Sequence, residues 1–296
     1  MARKAGQRVS VVLPALNESA TVGAIVATIR RHWVERVALV DEIVVIDPGS
    51  TDGTAKVAER AGAVVVPGRY VLAGYGSSLG KGEALWKSLY VTDGDVIAFL
   101  DADLREFDPD YVPRLLAPLL TDPSVVLVKG FYDRPLHPEG GPARAAGGGR
   151  VTELVARPLI ALHWPALSGV VQPLAGEYAA RRALLERLPF VTGYGVELGL
   201  LIDALRTAGL DALSQVDLGR RIHRNQDDAA LGRMAAALQL TALSRLGRPA
   251  PANLALTQYG RSSAGVVEPA TSIVHVAERP PMLTVPEYAA RQAAAS

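Results

Sequence analysis

Val96-Ile97-Ala98-Phe99-Leu100-Asp101-Ala102-Asp103 is an apolar run that ends abruptly in two carboxylates. The run does not alternate, which predicts a strand buried on both faces of its sheet. In extended chain Asp101 and Asp103 project to one side. Ligands of open α/β sheets collect outside the carboxyl ends of the strands. Two carboxylates placed there can hold a divalent metal, and a metal can hold a diphosphate. The competing reading is a solvated acidic turn, or Asp103 as a helix N-cap.

The rest of the chain sets the frame. Its 296 residues suffice for one large domain or two small ones. Hydrophobic residues at 49% and charged residues at 21% place it among globular chains. A formal net charge of +1 gives no electrostatic footprint for nucleic acid. Cysteine is absent, which excludes disulfides, thiolate catalysis and cysteine-held metals together. Met1 to Arg8 runs into Val9-Ser10-Val11-Val12-Leu13 without an apolar signal region. No window of about 18 apolar residues predicts a membrane-spanning helix. The expectation is a cytoplasmic protein with no membrane and no nucleic-acid partner.

Val9 to Leu13 reads as a first buried strand, Glu42 to Ile46 as a second and Ala63 to Val66 as a third. Between them, Val22, Ile25, Val26 and Ile29 share one face of a helix from about Thr21 to Trp33, capped by Asn17 or Ser19. A second helix, Thr54 to Ala61, can be capped by Thr51 or Asp52. This alternation implies parallel pairing in an α/β, Rossmann-like doubly wound sheet. Right-handed crossovers bring the loops after Leu13 and Ile46 to the edge that carries Asp101. Asn17, Glu18, Asp47, Ser50 and Asp103 then converge, with acceptors for ribose hydroxyls and base N–H groups.

Gly74 to Gly82 tempts a P-loop reading, but Tyr75 stands where the first glycine belongs and Gly82 where Ser or Thr belongs. The loop is either a plain glycine linker or a place where Lys81 opens a helix (Glu83 to Tyr90) and neutralises a phosphate. A helix from Asp108-Pro109 to about Leu120 and a strand from Val125 to Lys129 follow. Arg134 to Arg150 is a long loop dense in Gly, Pro and Ala. At its end Gly149, Arg150 and Thr152 open an apolar segment, Leu154 to Leu162, and suit a carboxylate or phosphate. A glycine hinge with a surface arginine is the alternative.

Further on, a helix is expected near Arg181 to Leu188, and another runs from Gly193 through Leu205. Glu197 lies among apolar neighbours there, so it is either paired or a functional acid, base or donor contact. Gln215 to Gly219 reads as a strand ending at Arg221-Ile222-His223-Arg224-Asn225. His223 is either a satisfied buried histidine or a metal ligand completing the Asp103 site. Asp227 to about Leu246 is a helix, and the last fifty or so residues read as an arm over the body or a partner subunit.

Taken as an ordered set, these blocks resemble a known family. Val12 to Glu18, Ile46-Asp47, Gly49 to Gly53 and Asp101-Ala102-Asp103 resemble nucleotide-sugar glycosyltransferases of the GT-A fold. Gly80 to Trp86, Lys129 to Tyr132, Gly147 through Pro158, Gln172-Pro173-Leu174, Gly193 through Glu197 and His223-Arg224-Asn225 are similar to retaining glucosyl-3-phosphoglycerate and mannosyl-3-phosphoglycerate synthases of actinobacterial type. The resemblance implies an enzyme moving a hexose, glucose favoured, from a nucleoside-diphosphate sugar (UDP- or GDP-linked) to the 2-hydroxyl of 3-phosphoglycerate.

The resemblance also implies roles. Asp103 and His223 would bind Mg²⁺ or Mn²⁺. Pro14, Ala15, Leu16, Glu18, Pro48, Lys81, Asp101, Ala102, Asp103, Tyr194 and Arg224 would contact the nucleotide sugar. Gly149, Arg150 and Thr152 would hold the acceptor phosphate, and Glu197, Lys81 and Asp103 would form the catalytic group. Residues 1–133 would be the nucleotide-sugar half, 134–226 the acceptor-binding and catalytic part, and 227–296 a C-terminal helix and arm. A homodimer is implied as well.

Two departures stand out. Pro48 replaces the serine of the usual Asp-Ser-Gly-Ser and lacks its hydroxyl and N–H, which leaves the base open. Gln226 stands where a basic residue is common. The alternatives are a mannosyl-3-phosphoglycerate synthase using GDP-mannose and a non-catalytic sugar-nucleotide binder.

Overall fold

A computed structural model describes residues 4, 6–78, 80–133, 149–221, 227–263 and 265–295. The chain opens with β1 (Val9–Pro14), α1 (Val22–Ile29), β2 (Glu42–Asp47), α2 (Thr54–Ala61) and β3 (Val64–Pro67). It continues through α3 (Lys81–Val91), β4 (Val96–Phe99), α4 (Tyr111–Thr121) and β5 (Leu127–Asp133). Next come α5 (Arg157–His163), β6 (Tyr178–Arg181), α6 (Arg182–Leu185), β7 (Phe190–Val191), α7 (Val196–Ala208) and β8 (Leu213–Arg220). The last part is α8 (Asp228–Arg245), β9 (Asn253–Arg261), β10 (Val267–His275), β11 (Glu278–Arg279) and α9 (Pro286–Ala295).

Seven strands form one sheet in the order β3-β2-β1-β4-β6-β5-β8. β1 pairs in parallel with both β2 and β4, so the direction of winding reverses between β1 and β4. That crevice is where a doubly wound sheet takes a ligand. The Val96–Phe99 run behaves as its composition demands. Ile97 and Phe99 pack into the core on one face, with α3 and α7, while Val96 and Ala98 pack into the other, with α1 and α4. All four are buried. The predicted face of α1, Val22, Ile25, Val26 and Ile29, is buried too.

Several local expectations give way. The first helix is α-helical only to Ile29 and continues as a π-helical turn, Arg30–Glu35. Neither Asn17 nor Ser19 caps it. The Asn17 side chain accepts instead from the Thr51 N–H (2.9 Å), tying the two strand-end loops together. α4 begins at Tyr111 rather than at Pro109, because the Asp108 carboxylate accepts from the Asp110 N–H (2.9 Å) and holds a turn there.

β6 is the largest surprise. The helix expected near Arg181 to Leu188 is the short α6, and Tyr178-Ala179-Ala180-Arg181 just before it, for which no strand was expected, is not helical despite its two alanines. It forms an antiparallel strand instead, because its backbone is bonded on both sides. Tyr178 pairs with Phe99 of β4 and with Lys129 of β5. Tertiary pairing outweighs the helix preference of two alanines.

The C-terminal arm also has structure of its own. β9 and β10 form an antiparallel hairpin with Thr257 opposite Thr271. Leu254 and Leu256 turn toward α8, where Ala236, Ala237, Leu240 and Val274 form a small cluster. Beyond it the chain returns to the body. Met282, Val285 and Tyr288 are buried in the main core, and the Trp86 indole N–H donates to the Pro280 carbonyl (2.8 Å). Among the described residues no helix is long and apolar enough to cross a membrane.

Candidate active site

A cavity of about 740 Å³ lies over the C-terminal ends of β1 and β4. That volume suits a small-molecule ligand. One end is lined by Pro14, Ala15, Leu16, Glu18 and Pro48. The middle carries Lys81, Asp101, Ala102, Asp103, Tyr194 and Glu197, and the far wall Gly149, Arg150 and Thr152. The structure therefore brings together every predicted site residue that it describes. His223 and Arg224 lie outside the described residues.

The middle is an ion cluster. The Lys81 ammonium, at the first residue of α3, donates to Asp101 and lies 2.9 Å from a Glu197 oxygen. Burial alone would lower this ammonium, but Asp101 and Glu197 outweigh it and hold its pKa well above the usual lysine range. Burial likewise works against the Asp101 carboxylate, yet Lys81 and Arg221 hold it well below the usual range. Both groups are thus fixed in their charged forms.

Arg221 is the residue that the sequence reading left without a role. It is 6% exposed and stands at the end of β8. One terminal nitrogen donates to Asp101 and to Asp103, each at 3.0 Å. The other donates to the Tyr132 hydroxyl (2.6 Å) and to Glu177 (3.1 Å). Glu177 is fully buried; burial raises its carboxyl, and the Arg221 guanidinium opposes that shift. The two aspartates do share a side, as expected, since one guanidinium nitrogen reaches both. The only hint in the sequence was a basic run closing a strand beside His223. Behind the cluster, burial pushes Lys129 down to about 8. Its ammonium donates to the Ala175 carbonyl (2.5 Å) and lies 4.7 Å from the centre of the Tyr178 ring.

The glycines around Lys81 serve close approach rather than phosphate cradling. A Cβ on Gly82 would stand on the Val191 carbonyl, and one on Gly80 on the Thr192 carbonyl. α3 therefore packs directly on backbone, which aims Lys81. Gly176 is crowded by the ion pair itself. A Cβ there would collide with both the Lys81 ammonium and the Asp101 carboxylate. Gly176→Ala is expected to split that pair and cut turnover about 10²-fold, the usual cost of ångström-scale misplacement. Stability should fall by about 1–3 kcal/mol from overpacking. Initial rates with a thermal melt check this, and parental turnover would refute it.

The cluster fits a divalent cation. Among the described residues, Asp101, Asp103, Glu177 and Glu197 have Lys81 and Arg221 as their ion-pair partners. Glu18 registers the surplus: burial raises its carboxyl, and the negative charge of Asp103 raises it further. Asp103 is the most exposed member, with 44% of its side chain open. Its oxygens are hard donors of the kind Mg²⁺ and Mn²⁺ prefer. Among the described residues no three acidic or histidine side chains form a complete cage, so ligand oxygens would complete the coordination.

On the far wall, Arg150 opens the helical segment and pairs with Asp228 at the start of α8 (2.5 Å). Both side chains are well exposed, so the pair is weak and exchangeable. Thr152 is buried beside it. The C-terminal part closes the cavity, with Leu231, Met234 and Val274 lining it from α8 and β10. Nothing in the local sequence pattern of that arm signals this role.

Comparison with known proteins gives concordant results. Residues 10–165 match the model of glycosyl transferase family 2. The chain is 51% identical over 284 residues to the glucosyl-3-phosphoglycerate synthase of Mycolicibacterium smegmatis, covering 96% of this chain and 92% of that one. It is 44% identical to the enzyme of the same name from Petrotoga mobilis, covering 95% and 88%. The crystal structure of glucosyl-3-phosphoglycerate synthase from Mycobacterium tuberculosis with Mn²⁺, UDP-glucose and phosphoglyceric acid superposes with a TM-score of 0.82 at 47% identity. That match covers 95% of this chain and 91% of the other.

Proposed function

The chain belongs to glycosyl transferase family 2, with a GT-A fold, and within it to the glucosyl-3-phosphoglycerate synthases; from that premise we propose that it transfers glucose, with retention, from UDP-glucose to the 2-hydroxyl of 3-phosphoglycerate. The observation that carries this reading is the continuity of the cavity. A nucleotide end at Pro14 to Glu18, the ion cluster at Asp103, Lys81 and Glu197, and the Gly149-Arg150-Thr152 wall form one space. Donor and acceptor would meet over Glu197.

For the described residues the roles follow from position, and for His223 and Arg224 from the family resemblance. Pro14, Ala15, Leu16 and Pro48 receive the base, and Glu18, Asp101 and Ala102 face the ribose. Asp103, with His223 as second protein ligand, would hold Mg²⁺ or Mn²⁺. A cation bound there supplies charge neutralisation on the departing diphosphate. Lys81 adds a fixed ammonium on the same side, so its stabilisation grows as the glycosidic bond breaks and charge builds. Glu197, held by Lys81, and Tyr194 and Arg224 complete the donor contacts. Residues 1–133 then serve the nucleotide sugar, 134–226 the acceptor and chemistry, and 227–296 the closing wall and a homodimer contact. The reading places the enzyme in the cytoplasm, where both substrates are soluble metabolites.

Incubation with UDP-glucose, 3-phosphoglycerate and Mn²⁺, followed by NMR of the product, tests the proposal. An α-linked glucosyl-3-phosphoglycerate is expected. A β-linked product, or no release of UDP in the presence of acceptor, would refute it. Arg150→Met should raise the KM for 3-phosphoglycerate about 10–100-fold, the worth of one or two charge-assisted hydrogen bonds. The KM for UDP-glucose should stay unchanged. Equal loss of affinity for both substrates would move Arg150 out of the acceptor site.

A further inference from the structure

Just beyond Lys81 a second carboxylate is buried that takes no part in the ion cluster. Glu83, in the first turn of α3, is buried, and so is Lys87 one turn further on. The Lys87 ammonium lies 3.0 Å from a Glu83 oxygen and donates to the Gly68 carbonyl (2.8 Å). The other partner of Glu83 comes from the far end of the chain. Arg279 of β11 donates to it through two nitrogens, Nε to Oε2 at 2.5 Å and Nη2 to Oε1 at 3.0 Å. Its remaining nitrogen, Nη1, donates to the Tyr75 carbonyl (2.6 Å). The guanidinium carbon lies 5.7 Å from the centre of the Trp86 ring, against which Tyr75 packs edge-on.

Arg279 therefore holds the chain on both sides of Lys81, at Tyr75 in the glycine loop before it and at Glu83 just after it. The backbone nearby is keyed to the same arm. β11 pairs with β7, Glu278 opposite Val191 and Arg279 opposite Phe190. The Thr192 N–H donates to the Ala277 carbonyl (2.9 Å), and the Glu83 N–H to the Thr192 carbonyl (3.1 Å). Among the described residues, Gly80 and Lys81 line the main cavity, whereas Glu83 and Arg279 do not. Apolar residues of the same volume often stabilise a fold as well as a buried ion pair does. What a guanidinium adds is direction, since its planar fork fixes a carboxylate bidentately and an ammonium does not.

We infer that Arg279 is a positioning residue of the donor site: from the C-terminal arm it fixes the loop before Lys81 and the first turn of α3, and so aims the Lys81 ammonium at the diphosphate. Asp101 and Glu197 hold the charge of Lys81, and Arg279 sets where its backbone stands. It acts through Lys81 and touches no substrate. The inference rests on the donor role given to Lys81 above, and a binding measurement tests it apart from transfer.

Arg279→Lys keeps the charge but cannot hold Glu83 and Tyr75 at once. It is expected to lower kcat about tenfold or more, within the cost of ångström-scale misplacement. UDP binding in the presence of Mn²⁺, measured calorimetrically, should weaken by a similar factor, because UDP carries the charge that Lys81 meets. The KM for 3-phosphoglycerate should stay unchanged. The same change made in Lys81→Met should cost less than about twofold in either readout, since residues that act as one unit are not additive. Glu83→Gln, nearly isosteric, repeats the test from the other partner and is expected to behave alike. All variants are compared below their melting temperatures. Parental kcat and UDP affinity in Arg279→Lys overturn the inference. So does an undiminished loss in the Lys81→Met background, which would make Arg279 a support of the fold alone. A parent that binds UDP but transfers no glucose refutes the proposed reaction, and the UDP affinities of the variants then decide the positioning role.

Discussion

Asp103→Ala is expected to lower glucosyl transfer at least ~10³-fold while leaving the fold nearly intact, because it would remove a ligand of the proposed cation site but little of the packing. Its carboxylate is 44% open to solvent, and its protein partner in the cluster is Arg221. Arg221 keeps Asp101 and Glu177 when Asp103 is removed. Loss of one part-exposed ion pair costs no more than about 1 kcal/mol. Melting temperature should therefore move little while UDP release from UDP-glucose and 3-phosphoglycerate disappears.

Chelation of the parental enzyme should have the same effect on rate and be reversed by Mn²⁺. Titration of Mn²⁺ by electron paramagnetic resonance in the presence of UDP gives a second readout, in which the variant should lose the tight site. Transfer by the variant within tenfold of the parent, or full rate in excess chelator, would sink the role of Asp103.

Lys81→Met should separate catalysis from stability in a different way. Turnover is expected to fall about 10²–10³-fold, the cost of deleting one preorganised donor at a site of developing charge. Unlike Asp103, Lys81 also supports the fold, since Glu197 is 8% exposed and Lys81 is its ion-pair partner. Removing one partner of a buried pair costs about 3–5 kcal/mol, an upper figure here because a fifth of the Lys81 side chain meets solvent.

The loss carries a pH signature. In the parent, Asp101 is depressed by Lys81 and Arg221, so its contribution is present at neutral pH and is lost only as the pH falls below the ordinary carboxylate range. Lys81→Met removes part of that contribution, so the stability gap between variant and parent should be widest near neutral pH and narrow only below about pH 4. Lys81→Met with Glu197→Gln should recover melting temperature but not turnover. A gap that stays constant with pH would show that Asp101 does not depend on Lys81.

Arg221 shows where legibility in the sequence ends. Asp101 and Asp103 announce themselves because two carboxylates interrupt an apolar strand, and Glu197 because it stands in an apolar helix. An arginine among basic neighbours at the end of β8 carries no such contrast. It becomes informative only when β8 is laid at the edge of the sheet beside β5, which brings it to Tyr132 and Glu177. Gly176 is similar. Nothing adjacent in the chain requires glycine there, whereas the ion pair that fills the space of its missing side chain comes from α3 and the end of β4.

The sequence by itself determined the doubly wound half and its chemistry. Buried strands, amphipathic helices and polar strand ends are local patterns, set by periodicity over a few residues, and crossover handedness then places the loops on one edge. Only the tertiary structure decided that β6 is a strand and that the C-terminal hairpin closes the cavity. It alone decided that Arg221 ties the acidic pair to Glu177. Each of those depends on partners distant in sequence, whose pairing energy overrides or is invisible to local propensity.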